Sequence, residues 1–253
     1  MLLVHSIQWM GYSGNTIYGM VTLPMKLLLF DVDGTLIYSG GAGRQAMMTA
    51  FQQMYGVEDG LKDISMFGMT DPLILKEALD NHGLEWRDAD VEKFRKIYVD
   101  LLRIAIREPY PEKKVLPGVV DLLEEISLHP GLIRSLLTGN WKEGSDIKLG
   151  YFDLNHYFER GAFSDDSPIR EELVPIAVRR CEEARGIRLR PEDVFIIGDT
   201  PRDIQCARPF GARVLAVATG MHTQDQLLAE RPDYMLRDLS DTQEVMNIFL
   251  RSE

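Results

Sequence analysis

The stretch "KLLLFDVDGTLIYSGGAG", residues 26–43, runs from a lysine through four apolar residues into two carboxylates, Asp31 and Asp33, and then a glycine. The apolar run predicts a buried strand. In an extended chain residues two apart point the same way, so Asp31 and Asp33 are expected to face one side and Val32 the other, and Gly34 permits a turn. Two carboxylates held close resist joint ionisation unless a cation lies between them or one keeps its proton. That tension suits an ionised nucleophile or metal ligand beside an acid. A solvated Asp-Gly turn after a strand explains the same residues without any chemistry. The stretch alone leaves both readings open.

Two further strand ends separate them. "SLLTGN" places Thr138, Gly139 and Asn140 just after a second strand, and "FIIGDTPRD" places Asp199 and Asp203 just after a third. Ligands of open α/β sheets bind outside the carboxyl ends of the strands, so all these groups are expected in one crevice. A hydroxyl and amide groups at Thr138 and Gly139 suit phosphate oxygens, and Asp199 beside the first pair makes an oxygen-only site of the kind magnesium takes. Pro201 predicts a helix whose positive end aims at the same crevice, with Thr200 as its N-cap.

From Gly118 onward short β-type runs, "LIRSLL" (132–137), "VFII" (194–197), "RVLAVA" (213–218) and "YML" (234–236), alternate with helical stretches. Such alternation predicts a doubly wound α/β core with a parallel sheet covered by helices. Before Pro117 the periodicity is helical. Ala46/Met47, Ala50/Phe51 and Met54/Tyr55 recur every four residues up to Gly56, and Val91, Phe94, Tyr98, Leu101/Leu102 and Ala105 form a second stripe after Asp90. The expected division is a core of residues 26–43 and 114–253 with a small all-helical cap of residues 44–113. Residues 1–25 carry no Lys, Arg, Asp or Glu, and polar residues interrupt their apolar ones. They do not read as a secretory signal. They are expected to be an extension upstream of a start at Met20 or Met25; an extra strand or a loose tail is the equal alternative.

Composition narrows the partners. A chain of 253 residues removes roughly 70–75% of its unfolded surface from water, enough for a full core and a small second lobe. No apolar run approaches the roughly 20 residues that span a bilayer, so no membrane partner is expected. The net charge of −11 repels phosphate backbones and argues against nucleic acid. Cys181 and Cys206 form no CxxC pair, which suits a reducing, cytoplasmic setting. The five histidines share no HxxxH-type spacing and give no zinc signature. Monomer and homodimer both stay open.

"FDVDGTL", the threonine closing the second strand and "GDTPRD", in that order, resemble the haloacid dehalogenase superfamily of aspartate-nucleophile hydrolases, mostly phosphatases. The resemblance implies that Asp31 is the nucleophile and Asp33 the general acid and base. It implies magnesium held by Asp31, the backbone carbonyl of Asp33 and Asp199, with Asp203 helping directly or through water. Thr138, Gly139 and Asn140 would bind the phosphoryl group of a small phosphorylated metabolite, of the phosphoglycolate or sugar phosphate kind. The second aspartate argues against halide as leaving group, since halide needs no proton. Relatives resembling this pattern carry a basic residue, usually Lys, upstream of the third strand; here "GAFSDDSPIREELVPIAVRR" offers Arg170. Lys148, in "DIKLGYF", competes with it, and a solvated helix face is the expected place for Lys148.

The helical insertion resembles the movable cap of that superfamily, with Gly40, Gly41 and Gly43 as its hinge and "FGMTDP" (67–72) as the loop aimed at substrate. Relatives resembling that loop often have a basic residue where Met69 stands. Asp71 before Pro72 reads as the N-cap of a helix. Three rivals remain. Gly41 to Ala46 matches a loose GxGxxA dinucleotide turn, but no strand immediately precedes it. A phosphomutase shares the aspartyl-phosphate and differs only in excluding water. A non-catalytic binding protein would leave the acidic set without work.

Overall fold

The apolar run after Met25 is β1 (Lys26–Phe30), and its side chains divide between two clusters. Leu28 and Phe30 pack with Leu122, Phe195 and Phe249, whereas Leu27 and Leu29 pack with Val174, Ile196 and Val214. A strand buried on both faces has no polar side to show, which is why its sequence is continuously apolar. The structure, a computed structural model, describes residues 25–110, 112–158 and 160–251, so the reading of residues 1–24 lies outside the described residues.

In chain order the elements that follow are β2 (Ile37–Tyr38), α1 (Ala42–Tyr55), α2 (Asp71–Asn81), α3 (Asp88–Ala105), β3 (Lys114–Val115) and α4 (Val119–Ser127). Then come β4 (Leu132–Leu137), α5 (Lys142–Tyr151), β5 (Gly161–Ala162), α6 (Arg170–Arg185) and β6 (Val194–Gly198). The chain closes with α7 (Pro201–Ala207), β7 (Arg213–Val217), α8 (Gln224–Ala229), β8 (Tyr234–Leu236) and α9 (Thr242–Leu250).

Among the described residues six strands make one parallel sheet in the order β5-β4-β1-β6-β7-β8. Helices α4, α5 and α9 supply apolar residues to one face and α6, α7 and α8 to the other, so the sheet is doubly wound as expected. Its order puts β4, β1 and β6 side by side, and the three groups of polar residues follow those three strands. Neither end of a two-residue strand such as β5 offers an apolar run, and the sequence reading passed over it.

Strands β2 and β3 pair antiparallel, Ile37 against Val115 and Tyr38 against Lys114, and lead the chain out to α1–α3 and back. Gly56, in the left-handed region at φ 70°, ends α1 where the four-residue rhythm stops. The three helices share a cluster of their own around Phe51, Leu75, Phe94, Tyr98 and Leu102. Trp141, from the loop after β4, is buried in that helical cluster, 5.6 Å from the Tyr98 ring and 6.3 Å from the Phe94 ring between centroids. No helix of the described residues is long and apolar enough to cross a membrane.

Candidate active site

The carboxyl ends of β4, β1 and β6 bring together Thr138, Gly139 and Asn140, then Asp31 and Asp33, then Asp199, with Asp203 on the first turn of α7. Asp31 still belongs to the ladder, its N–H donating to the Ile197 carbonyl at 2.9 Å. Val32 turns into the apolar cluster and Gly34, at φ 86°, folds the chain back so that its N–H reaches the Ile37 carbonyl at 2.9 Å. A Cβ on Gly34 would overlap the Asp199 carboxylate, so glycine is needed there for space as well as for angle.

Asp31, Asp199 and Asp203 are all buried and offer oxygens within 4.8 Å of one another. Burial pushes Asp31 up to about 6 against the pull of Arg170, and the charge of Asp203 adds to the rise. Asp199 is pushed well above its usual range by burial and then by Asp203 and Asp31. One cation answers part of this repulsion. Arg170, the first residue of α6, lies 3.2 Å from Asp31 Oδ1 and pairs with Asp203 Oδ1. Burial disfavours its charge, but Asp203 and Asp31 outweigh that cost and raise its pKa. Asp203 is spent on structure: its Oδ2 accepts from Thr200 N at 3.0 Å and Thr200 Oγ1 at 2.7 Å, a capping box that starts α7. Thr200 is therefore the N-cap the sequence predicts. Asp199 accepts at Oδ1 from Thr35 Oγ1 at 3.0 Å, and Thr219 Oγ1 donates to the Gly34 carbonyl at 2.5 Å, tying the loop after β7 to the site.

Asp33 shares the crevice with Asp31 but has different partners. Its Oδ2 accepts from Lys148 Nζ at 2.5 Å and from Asn140 Nδ2 at 2.9 Å, and its Oδ1 from Ser39 Oγ at 3.3 Å. Burial raises its pKa, yet Lys148, Asn140 and Ser39 together prevail and hold it below the usual carboxylate range. The expectation of a solvated Lys148 is thereby corrected: it is 4% exposed, and Nζ also donates to Asn140 Oδ1 at 2.6 Å. A buried ammonium is tolerable because these acceptors replace its water. The signal was present in the helix itself. Gly144, Ser145, Lys148 and Leu149 fall on the buried stripe of α5, and periodicity assigns Lys148 to that stripe once Trp141 is counted with it.

Thr138 is buried, and its Oγ1 accepts from Asn140 Nδ2 at 2.8 Å and Asn140 N at 3.3 Å. The Gly139 carbonyl accepts from Asp71 N at 2.7 Å, and Trp141 N donates to Asp71 Oδ2 at 2.7 Å. A Cβ on Gly139 would overlap the Met69 carbonyl. Asp71 is thus not the expected N-cap. Thr70 holds that position, and the Asp71 side chain reaches across to the loop after β4, because an exposed cap yields less than an acceptor for a buried N–H. Thr70 Oγ1 donates to the Pro168 carbonyl at 2.7 Å, Arg170 Nη1 to the Gly68 carbonyl at 3.4 Å, and Arg95 pairs with Asp165. The helical lobe is held down on the crevice by its 67–72 loop.

The chain matches known proteins over most of its length. The model of the haloacid dehalogenase-like hydrolase family matches residues 28–217. Phosphoglycolate phosphatase 1 of Pseudomonas aeruginosa is 27% identical over 226 residues, covering 85% of this chain and 78% of its own. The pyrophosphatase PpaX of Halalkalibacterium halodurans is 24% identical over 233 residues, covering 90% and 100%. The crystal structure of a hydrolase from Pseudomonas syringae superimposes with a TM-score of 0.67 at 20% identity, over 90% of this chain and 100% of that one, and shares the fold. With the family model spanning most of the chain, this protein belongs to the haloacid dehalogenase-like hydrolases.

Proposed function

We propose that the protein is a magnesium-dependent phosphatase that cleaves a small phosphate monoester through an aspartyl-phosphate on Asp31. The observation that carries the reading is the buried cluster of Asp31, Asp199 and Asp203 with Arg170 against it, two residues from a second carboxylate held in a separate network. Relatives named as phosphoglycolate phosphatases and pyrophosphatases support the phosphate class.

The donor set fits a hard divalent cation, since oxygens alone converge and burial leaves Asp31 and Asp199 with charge that Arg170 only partly offsets. Asp31, the Asp33 carbonyl and Asp199 would hold it; Asp203, with both oxygens already engaged, would stand behind them. Magnesium, when bound, would supply charge compensation between the nucleophile and the phosphoryl oxygens. Arg170 orients Asp31 and keeps it ionised near neutral pH. A phosphate dianion brought beside Asp33 raises the affinity of that carboxylate for a proton. Asp31 then attacks phosphorus, the ester P–O bond breaks, and the leaving oxygen takes the proton from Asp33. Asp33 next takes a proton from water as the water oxygen attacks phosphorus, the P–O bond to Asp31 breaks, and inorganic phosphate leaves. Thr138, Gly139 and Asn140 lie where the phosphoryl oxygens would be received, and the docked lobe excludes bulk water.

Phosphate release from phosphoglycolate, sugar phosphates, p-nitrophenyl phosphate and pyrophosphate, with magnesium and with chelator, tests the reading. Metal-dependent release that Asp31→Asn lowers by at least about a thousandfold is expected, since a carboxamide is a poor nucleophile. Near-normal turnover by that variant overturns the assignment of Asp31. No release from any compound by a folded protein that binds magnesium points to a mutase.

A further inference from the structure

The two aspartates after β1 are served by two separate cations, and among the described residues Arg170 is the one that stands against the proposed nucleophile. Lys148 makes its contacts on the other side of the crevice, with Asp33 Oδ2 at 2.5 Å and Asn140 Oδ1 at 2.6 Å. Asn140 closes the triangle by donating to the same Oδ2 at 2.9 Å. The amide is itself fixed, because its Nδ2 also donates to Thr138 Oγ1 at 2.8 Å. Two donors therefore grip Oδ2, while among the described residues Oδ1 has the single, longer bond from Ser39 Oγ at 3.3 Å. The grip is rigid: Lys148 and Asn140 are buried, and Gly144, one turn before Lys148, lies against Tyr98 of the helical lobe.

The geometry points to Lys148 as a positioning residue that, with Asn140, clamps Oδ2 of Asp33 and leaves Oδ1 as the oxygen that gives and takes the proton. The assignment rests on the phosphatase reading above. A carboxylate free to rotate presents either oxygen at the wrong angle part of the time, and misplacement of a reacting group costs rate steeply. A residue serving only the phosphoryl group would touch Asp31 or the anion's place beside it. Lys148 instead acts on the leaving oxygen through Asp33, and its loss is expected to depend on how much that oxygen needs a proton.

The test measures kcat/KM for p-nitrophenyl phosphate, whose phenolate leaves without help, and for glycerol 2-phosphate, whose alkoxide does not. Wild type, Lys148→Met, Lys148→Arg and Asn140→Ala are compared under saturating magnesium. For Lys148→Met the alkyl ester should lose roughly 100-fold to 10,000-fold, the usual worth of general acid catalysis, and the aryl ester under about tenfold. Lys148→Arg should recover most of the alkyl activity, and Asn140→Ala, which also borders the phosphoryl group's place, should slow both esters but the alkyl ester by at least about tenfold more. Equal losses on both esters, or none, overturn the positioning role and leave Lys148 as a phosphate ligand or a packing residue. If Lys148→Met does not fold, the ratio for Asn140→Ala decides by the same criterion. Wild type that releases phosphate from neither of these esters nor from phosphoglycolate, sugar phosphates or pyrophosphate removes the phosphatase reading itself, an outcome distinct from equal losses.

Discussion

Asp71 carries a carboxylate across the seam between the helical lobe and the loop after β4, where it is 5% exposed and accepts from Trp141 N. Burial pushes it up to about 7, against the opposing pull of Lys148 and the Trp141 N–H. The folded state therefore holds that proton more tightly than the unfolded chain. The stability it contributes is complete below about pH 4 and is lost as pH rises through about 7. Asp71→Asn keeps an acceptor for Trp141 without the charge. It should melt close to wild type at pH 4 and be more stable at pH 8, by up to about 4 kcal/mol, in scans run with chelator. An advantage that shrinks with pH would contradict the raised pKa. Residues of this kind are where the sequence reading ran out. Asp31, Asp33, Asp199 and Thr138 were legible because each follows an apolar strand run. The α5 stripe announces that Lys148 is buried, but Lys148 and Asp71 draw their partners from Asp33 and Trp141, distant in the chain, and no local pattern announces those pairings.

At the scale of elements, mostly apolar runs gave away the central strands, unbroken in β1 and β6 and interrupted by Arg134 and Ser135 in β4, because a strand covered on both faces needs few polar positions. Strands β2, β3 and β5 have two residues each and leave no such trace. The loop after β4 is more than a connection, since it offers Thr138 and Asn140 to the crevice and sends Trp141 into the helical cluster. Trp141→Ala should cost about 3–5 kcal/mol in urea unfolding, as for other large buried aromatics. Trp86→Ala, at a residue 37% exposed, should stay within about 0.5 kcal/mol. A Trp141 variant no worse than the Trp86 control would mean that the lobe is held down without that ring.

At the scale of the whole molecule, three apolar clusters coexist among the described residues, two sandwiching the sheet and one inside the lobe. Phe51 is fully buried in the third, against Tyr55, His82 and Phe94. Phe51→Ala should therefore speed amide hydrogen exchange across α1–α3 far more than in β1 and β6, because units with separate cores open separately. Uniform loss of protection would show one cooperative unit instead. The joint between units also bears on how the molecule is made. Asp31 is synthesised early, but Gly34 beside it is fastened by Thr219, and Gly220 lies so close to Asp199 that a Cβ there would overlap its carboxylate. A nascent chain that has emerged only as far as α7 already carries Asp31, Asp33, Asp199 and Asp203 without the last wall of the crevice. The order of translation thus sets the moment at which the acidic pocket is completed, after β7 and its loop have left the ribosome.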